Sequence, residues 1–521
     1  MNTETIDLKQ TVIGLELGST RIKAVLLDRG HIPVATGGFD WENHFVNEIW
    51  TYPLSEVRHG LQACYADLKR NVKERLGVEL TTVGAIGISG MMHGYLALDK
   101  DGNQLAEFRT WRNTITGPAA EKLTARFGFN IPQRWSIAHF YQAMLNGEAH
   151  VKDVRKLFTL SAYIHYLLTD RHVIGIGEAS GMFPIDSEAL DYDAAIADSF
   201  RELTGVDPRD VLPKVLVAGQ NAGTLTAAGA LLLDPEGTLR PGIPLAPPEG
   251  DAGTGMTATN AVRPRTGNVS AGTSDFAMIV TEHPLNVHRE IDMVTTPDGA
   301  PVAMAHCNNC TSDINAWVDL FAQFAALIGA ETDKGTLFTR LFQAALEGDP
   351  DCGGLLSYNY LAGEGITYLD AGRPIFARLP DAKFTLANFM RTHLLSALAT
   401  LKIGMDILAK EDVKIDRLMG HGGFFKTPGV GQRMLSAAVG APVTVMETAG
   451  EGGPYGMALL AAYMLWKEAG ESLPDYLDNK VFASAAATEV MADSADAAGF
   501  TAFLARYEAA LPMEKTAIEV F

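Results

Sequence analysis

The chain repeats one short structural device at the start of each of its halves. Residues 11–28 contain two apolar runs separated by Gly18-Ser19-Thr20, and residues 269–280 contain two more separated by Gly272-Thr273-Ser274. Apolar runs bounded by glycine turns are typical of buried strands. The repeat therefore predicts two halves of related fold, each opened by a strand, a Gly-Ser/Thr turn and a second strand, and it indicates an internal structural duplication.

Strand and helix patterns interleave along the rest of the chain. A buried strand is predicted over Val83 to Ser89, and helices are predicted over Pro53 to Leu76 and Phe384 to Leu408, the latter as a core helix. The Ala-rich tail from Glu471 to Phe521 is also predicted to be helical. A chain of 521 residues is too long to fold around a single hydrophobic core. We expect an α/β protein of two domains, residues 1–266 and 267–521.

Charge and composition exclude several classes of protein. The formal net charge is −20, whereas a duplex nucleic-acid binder needs a basic face. No apolar run approaches the roughly 20 residues of a membrane span, and the first ten residues are polar. The four cysteines fit a reducing compartment. We expect a cytoplasmic protein with no nucleic-acid or membrane partner.

Asp251 is the strongest candidate for a catalytic residue. It lies in a glycine-rich segment, Pro248-Glu249-Gly250-Asp251-Ala252-Gly253, which we predict to be a loop. Glycine lets a backbone approach a ligand closely, and a carboxylate there can orient and deprotonate an attacking hydroxyl. The alternative is a turn aspartate bonded to its own backbone. The segment Gly253 to Ala258 also fits the dinucleotide pattern G-x-G-x-x-A, which we discount because a buried strand should precede it.

The two Gly-Ser/Thr turns are candidates for phosphate binding. Gly18, Ser19, Thr20, Gly272 and Thr273 offer N–H and hydroxyl donors, although no Walker A sequence is present. A plain hairpin turn is the alternative for the first. Glu16 precedes Gly18 on the same side of its strand and is a candidate ligand of Mg²⁺, a hard cation that prefers oxygen.

Three further segments are candidates for binding. The glycine turn from Gly420 to Gln432 can accommodate an adenosine, or can simply start a helix. Met92 and His93 follow the strand that ends at Gly90, where α/β sheets place ligands. Trp111-Arg112 can stack on and hydrogen-bond a polyol, unless the tryptophan is a core residue. Cys307 and Cys310 form a single C-x-x-C, whereas a structural zinc needs four ligands.

With these residues in view, the chain resembles the FGGY family of carbohydrate kinases over nearly its whole length, and its xylulokinase and ribulokinase branches most. The resemblance rests on five segments: the phosphate motifs at Gly14 to Asp28 and Gly272-Thr273-Ser274, the adenosine motif at Gly420 to Gln432, the loop Ser89 to Gly94, and the segment Glu178 to Asp186. Departures from the family pattern are Glu16 for Asp, Met91 for Gln, Ala252 for Asn and Trp111-Arg112-Asn113 for W-N-D.

The resemblance implies the actin-like, hexokinase-like α/β fold, with two domains and an active site in the cleft between them. It implies ATP and Mg²⁺ as cofactors, with transfer of a phosphoryl group to a hydroxyl of a ketose such as xylulose or ribulose. Alternatives are a sugar acid, a tetrose or another polyol as substrate, or a nucleotide-binding module without transfer. A homodimer is a family expectation.

The implied roles fall on matching positions of this chain. Asp251 is the base and, with Glu16, lies near the metal. Nucleotide contacts are implied for Gly18, Ser19, Thr20, Gly272, Thr273, Gly422, Gly423 and Thr427. Contacts with the sugar are implied for Met92, His93, Trp111, Arg112 and Asp251.

Overall fold

The computed structural model describes residues 6–447 and 452–521. Its strands are β1 (Val12–Leu17), β2 (Arg21–Leu27), β3 (Pro33–Asp40), β4 (His44–Val46), β5 (Ile49–Thr51), β6 (Ala85–Gly90), β7 (Leu96–Leu98), β8 (Lys156–Phe158), β9 (Val173–Gly175), β10 (Ile185–Asp186), β11 (Asp191–Tyr192), β12 (Lys214–Leu216), β13 (Glu249–Gly250), β14 (Thr266–Ala271), β15 (Asp275–Val280), β16 (Ile291–Thr295), β17 (Pro301–Cys307), β18 (Leu355–Tyr358), β19 (Ile375–Arg378), β20 (Arg417–His421), β21 (Val443–Met446) and β22 (Ala487–Val490).

Helices connect these strands throughout the described residues. They are α1 (Leu54–Leu76), α2 (Gly117–Phe127), α3 (Ser136–Leu145), α4 (Leu160–Thr169), α5 (Ile176–Ala179), α6 (Ala194–Thr204), α7 (Ala227–Leu233), α8 (Asp251–Ala258), α9 (Ser312–Leu327), α10 (Lys334–Ala344), α11 (Leu386–Lys410), α12 (Val430–Val439), α13 (Gly452–Trp466), α14 (Leu473–Tyr476) and α15 (Ser494–Val520).

The chain folds into two compact units whose segments alternate in sequence. The first unit comprises Met1–Val262, Asp292–Val302 and Glu451–Ser484, and the second comprises Arg263–Ile291, Ala303–Gly450 and Ala485–Phe521. The expected boundary after residue 266 lies close to the first change of unit. The division into domains 1–266 and 267–521 stays a prediction, because two later segments return to the first unit.

The first unit is built on a sheet of order β13-β6-β1-β2-β3. β13, β6 and β1 run parallel, whereas β1, β2 and β3 are antiparallel neighbours, so the predicted opening hairpin is confirmed. Every residue of β1 and β6 is buried. This explains why their sequences are mainly apolar, with Glu16 and Ser89 as the exceptions, since strands covered on both faces have no polar side.

Helix α13 approaches this sheet so closely that only glycine fits at several contacts. A Cβ atom on Gly14 of β1 would lie 2.0 Å from the Pro454 carbonyl oxygen, and one on Gly87 of β6 would lie 2.6 Å from Met457 Cε. On the other side, a Cβ on Gly456 would lie 1.9 Å from the Thr254 carbonyl oxygen in α8. At Gly14 and Gly456 backbone therefore packs against backbone, and at Gly87 the Met457 side chain packs against the strand. These contacts fix β1, β6 and α8 relative to one another.

The second unit contains a sheet with the order β17-β15-β14-β20-β21-β22. β14 and β15 form the second predicted hairpin, and β14, β20 and β21 run parallel. Helix α11 confirms the predicted core helix. It is long and apolar enough to cross a membrane, but 72% of its most apolar window is buried inside the protein, as expected of a core helix.

Two sequence predictions about local structure were wrong. Asp251 does not lie in a loop, because a short strand, β13, precedes it and it is the first residue of α8. The G-x-G-x-x-A glycines are therefore inside a helix, where they permit close packing. The Ala-rich tail is not helical throughout, because β22 adds an antiparallel edge strand beside β21. The β-branched residues Thr488 and Val490 suit that edge.

We expect Gly14→Ala to destabilise the first unit severely, since its methyl group would collide with the Pro454 carbonyl rather than with a movable side chain. The expected loss is about 3 kcal/mol or more, typical of a severe overpacking. The measurement is the midpoint of thermal unfolding. The matched control is Gly117→Ala in α2, where the nearest atom to the new Cβ lies 3.8 Å away. Equal midpoints for the two variants would contradict the close packing.

Candidate active site

Three parallel strands of the first unit end at one edge of the sheet. Leu17 of β1 pairs with Gly90 of β6, and Gly250 of β13 also pairs with Gly90. The segments that follow these strands are Gly18-Ser19-Thr20, Met91-Met92-His93 and Asp251. The carboxyl edge of parallel strands is where open α/β sheets bind ligands. The fold thus brings the first phosphate turn, the predicted sugar loop and the candidate base together.

Asp251 is held at this edge by backbone groups. The Met92 N–H donates to its Oδ1 at 3.3 Å. The carboxyl is accessible to solvent. Desolvation by the surrounding protein nevertheless raises its pKa, while hydrogen bonds from the backbone of Met92 and Ala252 act in the opposite direction. Asp251 is therefore an accessible carboxyl whose proton affinity is increased, which suits a proton acceptor.

Glu16 places a second carboxyl near Asp251. Its side chain is buried, and its Oε2 lies 3.6 Å from Lys23 Nζ. Burial raises the pKa of Glu16 to about 7; Lys23 opposes this shift and the negative charge of Asp251 adds to it. Gly453 of α13 leaves room for this side chain, because a Cβ there would lie 1.9 Å from Glu16 Oε1.

These two carboxyls fit a magnesium ion. The negative charge of each carboxylate raises the free energy of the other's ionised form. A cation beside them would relieve this repulsion, and Mg²⁺ prefers oxygen ligands such as these. Within residues 6–447 and 452–521, no group of three or more His, Cys, Asp or Glu side chains could hold a metal ion. A magnesium ion here would accordingly take its remaining ligands from water and phosphate, as is usual for this ion.

The first phosphate turn is supported by two aromatic residues that the sequence analysis missed. Trp41 Nε1 donates to the Gly18 carbonyl at 2.7 Å, and the Tyr52 hydroxyl donates to the Ser19 carbonyl at 2.5 Å. The two rings stack with centroids 4.3 Å apart. Ser19 and Thr20 remain exposed, so the turn is rigid yet accessible. A lone Trp and Tyr in polar sequence gave no signal of this role.

His93 is fully engaged within the protein. Its Nε2 accepts from Arg134 Nε at 3.1 Å, and its Nδ1 donates to the Gly181 carbonyl at 3.0 Å. A Cβ on Gly181 would lie 2.6 Å from His93 Nδ1, so glycine is needed there. Contact of Met92 and His93 with the sugar stays a prediction. Sequence reasoning missed Arg134, whose position 41 residues after His93 gave no signal.

Trp111 and Arg112 lie on a turn that is anchored to Trp50. The Arg112 guanidinium stacks 3.8 Å above the Trp50 ring, and the Asn113 side chain bonds both the N–H and the carbonyl of Trp50. Trp111 is 40% exposed and is therefore not a core residue. Contact of Trp111 and Arg112 with a sugar stays a prediction. The stacking on Trp50 places the Arg112 guanidinium against a protein aromatic ring.

Two buried glutamates that the sequence analysis did not single out as site residues flank the backbone of Asp251. Glu249 accepts from the N–H groups of Gly177 and Glu178 at 3.3 and 2.9 Å, and burial raises its pKa to about 8. Burial raises the pKa of Glu178 well above its usual value. A Cβ on Gly250 would lie 2.2 Å from Glu178 Oε2. The glutamates thus fix the strand end from which Asp251 projects.

In the second unit, the remaining predicted nucleotide residues follow two neighbouring parallel strands. β14 leads into Gly272-Thr273, and β20 leads into Gly422-Gly423, with Ser270 paired to His421. Gly422 has φ of 99°, and a Cβ there would lie 2.4 Å from the Ala271 carbonyl oxygen. Only glycine suits that backbone. The structure thus brings the second phosphate turn and the adenosine turn together.

Hydrogen bonds hold both turns of the second unit. The Thr311 hydroxyl and N–H donate to the Gly272 carbonyl at 2.7 and 2.9 Å. Gln432 donates from Nε2 to the Val443 and Thr488 carbonyls, which occupies the amide that follows the adenosine turn. Thr427 is buried, whereas Gly423 has open space where a Cβ would stand. Contact of Gly423 and Thr427 with a nucleotide stays a prediction.

Cys307 and Cys310 pack beneath the second phosphate turn. All four cysteines are free and buried. The Cys310 N–H donates to the Thr273 carbonyl at 3.0 Å. Burial raises the pKa of both thiols far above their usual value, which is the reverse of the shift that makes a thiol reactive. The C-x-x-C therefore supports the turn.

We expect Glu16→Gln to change how stability depends on pH. Because the folded protein raises the pKa of Glu16 from 4.5 to about 7, the native state binds the proton more tightly than the unfolded chain. Wild-type stability then falls as pH rises from about 4.5 to about 7, by roughly 3 kcal/mol, and the variant lacks this fall. Thermal unfolding at pH 5 and pH 8 measures it. Glu121→Gln, which changes an exposed carboxylate in α2, should keep the wild-type slope; an unchanged slope in Glu16→Gln would contradict the raised pKa.

Comparison with known proteins places this geometry in a family. The N-terminal domain of the FGGY family of carbohydrate kinases matches residues 11–252, and its C-terminal domain matches residues 267–465. The xylulose kinase of Haemophilus influenzae is 23% identical over 457 residues, covering 84% of this chain and 87% of that protein.

Solved structures agree on the fold. A ligand-bound xylulose kinase from Lactobacillus acidophilus has a TM-score of 0.80 at 17% identity, covering 96% of this chain and 98% of its own. A gluconate kinase from the same organism has a TM-score of 0.79 at 17% identity, with the same coverage. The chain therefore belongs to the FGGY family of carbohydrate kinases, with the two-domain α/β fold of the actin-like ATPases, and is a sugar phosphotransferase that uses ATP.

Proposed function

We propose that the protein transfers the γ-phosphoryl group of MgATP to a hydroxyl of a ketose, with a pentulose such as xylulose or ribulose as substrate. The observation that carries the proposal is Asp251, an accessible carboxyl of raised pKa at the edge of the sheet where β1, β6 and β13 end. Similarity to xylulose kinases over most of the chain supports the substrate class.

In this proposal Asp251 orients the attacking hydroxyl and accepts its proton as the new oxygen–phosphorus bond forms and the bond to ADP breaks. Phosphoryl transfer depends mainly on positioning and charge stabilisation, and a base contributes about 10²–10⁴-fold. The Met92 N–H donates to the carboxyl, and the buried Glu249 fixes the strand end that precedes it. Magnesium, when bound near Glu16 and Asp251, supplies positive charge to the phosphate oxygens.

The turns bind the nucleotide in the same proposal. Gly18, Ser19 and Thr20 donate to phosphate oxygens, and so do Gly272 and Thr273. Gly422, Gly423 and Thr427 contact the adenosine. The rigid support of each turn favours these roles, because donors that are already in position lose little entropy when phosphate binds.

We expect Asp251→Asn to lower kcat by about 10²–10⁴-fold, because the amide cannot accept the proton, while the affinity for ATP changes little. Coupled ADP release measures turnover, and calorimetric titration measures ATP binding. The control is Asp101→Asn, which changes an exposed carboxylate in a loop of the same unit and should leave turnover unchanged. Turnover near that of the wild type in Asp251→Asn would refute the assignment of the base.

The substrate is tested by a panel of pentuloses, hexuloses, polyols and sugar acids in the same assay. We expect the highest kcat/KM with a pentulose. A sugar acid is the second candidate because a gluconate kinase shares the fold. A sugar acid as the best substrate would overturn the ketose assignment and leave the kinase assignment intact.

A further inference from the structure

Arg134 is a cation that contacts the proposed sugar loop directly. It precedes α3, its Nε donates to His93 Nε2 at 3.1 Å, and its carbonyl accepts from the Gly94 N–H at 3.3 Å. The neighbouring Met92 N–H donates to Asp251 Oδ1. An unbroken series of contacts thus leads from the proposed base, over Met92 and His93, to this guanidinium.

The orientation of the guanidinium is fixed from both sides. An arginine can only donate, so His93 Nε2 carries no proton, and its Nδ1–H donates to the Gly181 carbonyl. On the other side, Arg134 Nη2 donates to Asp292 Oδ2. Asp292 is itself held by the Asn130 amide, which donates to Oδ1 at 3.0 Å. Arg134 is therefore held in one position before any sugar binds.

One end of Arg134 stays available to a ligand. Nε and Nη2 are bonded to His93 and Asp292, whereas no protein partner for Nη1 is found among residues 6–447 and 452–521. The side chain is 25% exposed, so Nη1 is accessible. Two N–H groups are thus available to a hydroxyl or carbonyl oxygen of a sugar.

The net charge around Arg134 is not positive. Asp292, of which 11% of the side chain is exposed, neutralises the guanidinium. The other ionisable groups of the series add no positive charge, because Asp251 is an acid and His93 is neutral when its Nε2 accepts from Arg134. A second carboxylate brought in by a ligand would lose its hydration here without meeting a net positive charge, whereas a neutral hydroxyl loses much less.

We infer that Arg134 determines the specificity of the sugar site: its Nη1 donates to an oxygen of a neutral ketose, and its ion pair with Asp292 is what excludes sugar acids. This inference rests on the proposed function and narrows it, since it selects neutral sugars over aldonates. His93 is then a positioning residue that acts through Arg134. Removing the negative charge of Asp292 should convert the site into one that accepts an acid.

The test is equilibrium binding without ATP, so that it does not depend on phosphoryl transfer. The probes are D-xylulose, D-ribulose and L-ribulose as neutral ligands, and D-xylonate and D-gluconate as acids, titrated calorimetrically. The measured quantity is the ratio of the best neutral affinity to the best acid affinity. We expect wild-type protein to favour neutral ligands by at least about 10-fold, which is the effect of one charged hydrogen bond or one unpaired charge.

Two variants separate the roles of the ion pair. Asp292→Asn removes the charge and keeps one acceptor oxygen for Arg134, at the cost of the hydrogen bond from Asn130. This variant should shift the ratio towards acids by about 10-fold. Arg134→Gln, with Asp292 kept, should lower the affinity for neutral ligands by about 10-fold. Arg134→Lys should restore part of that affinity. The control is Glu202→Gln, which removes the negative charge from an exposed ion pair with Arg126 in the same unit. This variant should leave the ratio of affinities unchanged.

Several results would overturn the inference. They are tighter binding of acids than of ketoses by the wild type, an unchanged ratio in Asp292→Asn, or no binding of any of the five probes. Failure of the proposed function gives a different result, because ketoses would still bind while no ADP was released.

Discussion

The packing of α13 against β1, β6 and α8 is the contact on which the candidate site depends. Glycine lets two backbones meet at Gly14 and at Gly456, and Gly87 leaves room for the Met457 side chain. At Gly14 and Gly456 no flexible side chain lies between the backbones to absorb a shift, so the strand that carries Glu16 and the helix that begins at Asp251 form one rigid body. The proximity of two carboxyls that repel one another is sustained by this packing, since their own interaction opposes it.

Acidic groups dominate the environment of the proposed base. Glu16, Glu178 and Glu249 each have a pKa raised by burial, and each is close to the backbone or side chain of Asp251. Such clusters cost stability in the absence of ligand and are found at functional sites, where a cation or a reacting proton compensates them. In the proposed reaction, a bound cation and the transferred proton would offset these unfavourable electrostatics.

The sequence predicted those features whose signal is local. The strand–turn–strand device, helix α11 and the glycine turns each depend on residues close together in the chain, and the structure contains them. The start of α8 was missed because its preceding strand has only two residues and follows two prolines, which imitates a loop. β22 was missed because alanine-rich sequence favours helix, whereas the edge of the sheet beside β21 supplied the hydrogen bonds that decided its conformation.

Long-range signals were absent from the sequence. Asp292 and Arg134 form an ion pair but lie far apart in the sequence. The stretch between them contains much of the first unit and the first segment of the second, so no spacing rule links the two. His93 was singled out as a ligand, yet its ring nitrogens bind Gly181 and Arg134. A lone histidine in a loop does not reveal which of its atoms the protein itself occupies.

The alternation of segments between the two units has a consequence for how the chain is made. On the ribosome, β1 and β6 are complete long before α13 emerges, because α13 begins only at residue 452. Domains usually fold in order as they are synthesised. Here the glycine-lined face of the first sheet stays uncovered until most of the second unit has been translated. Completion of the first unit is therefore an event at the end of translation, and a nascent chain stalled before residue 452 would present an apolar surface to chaperones.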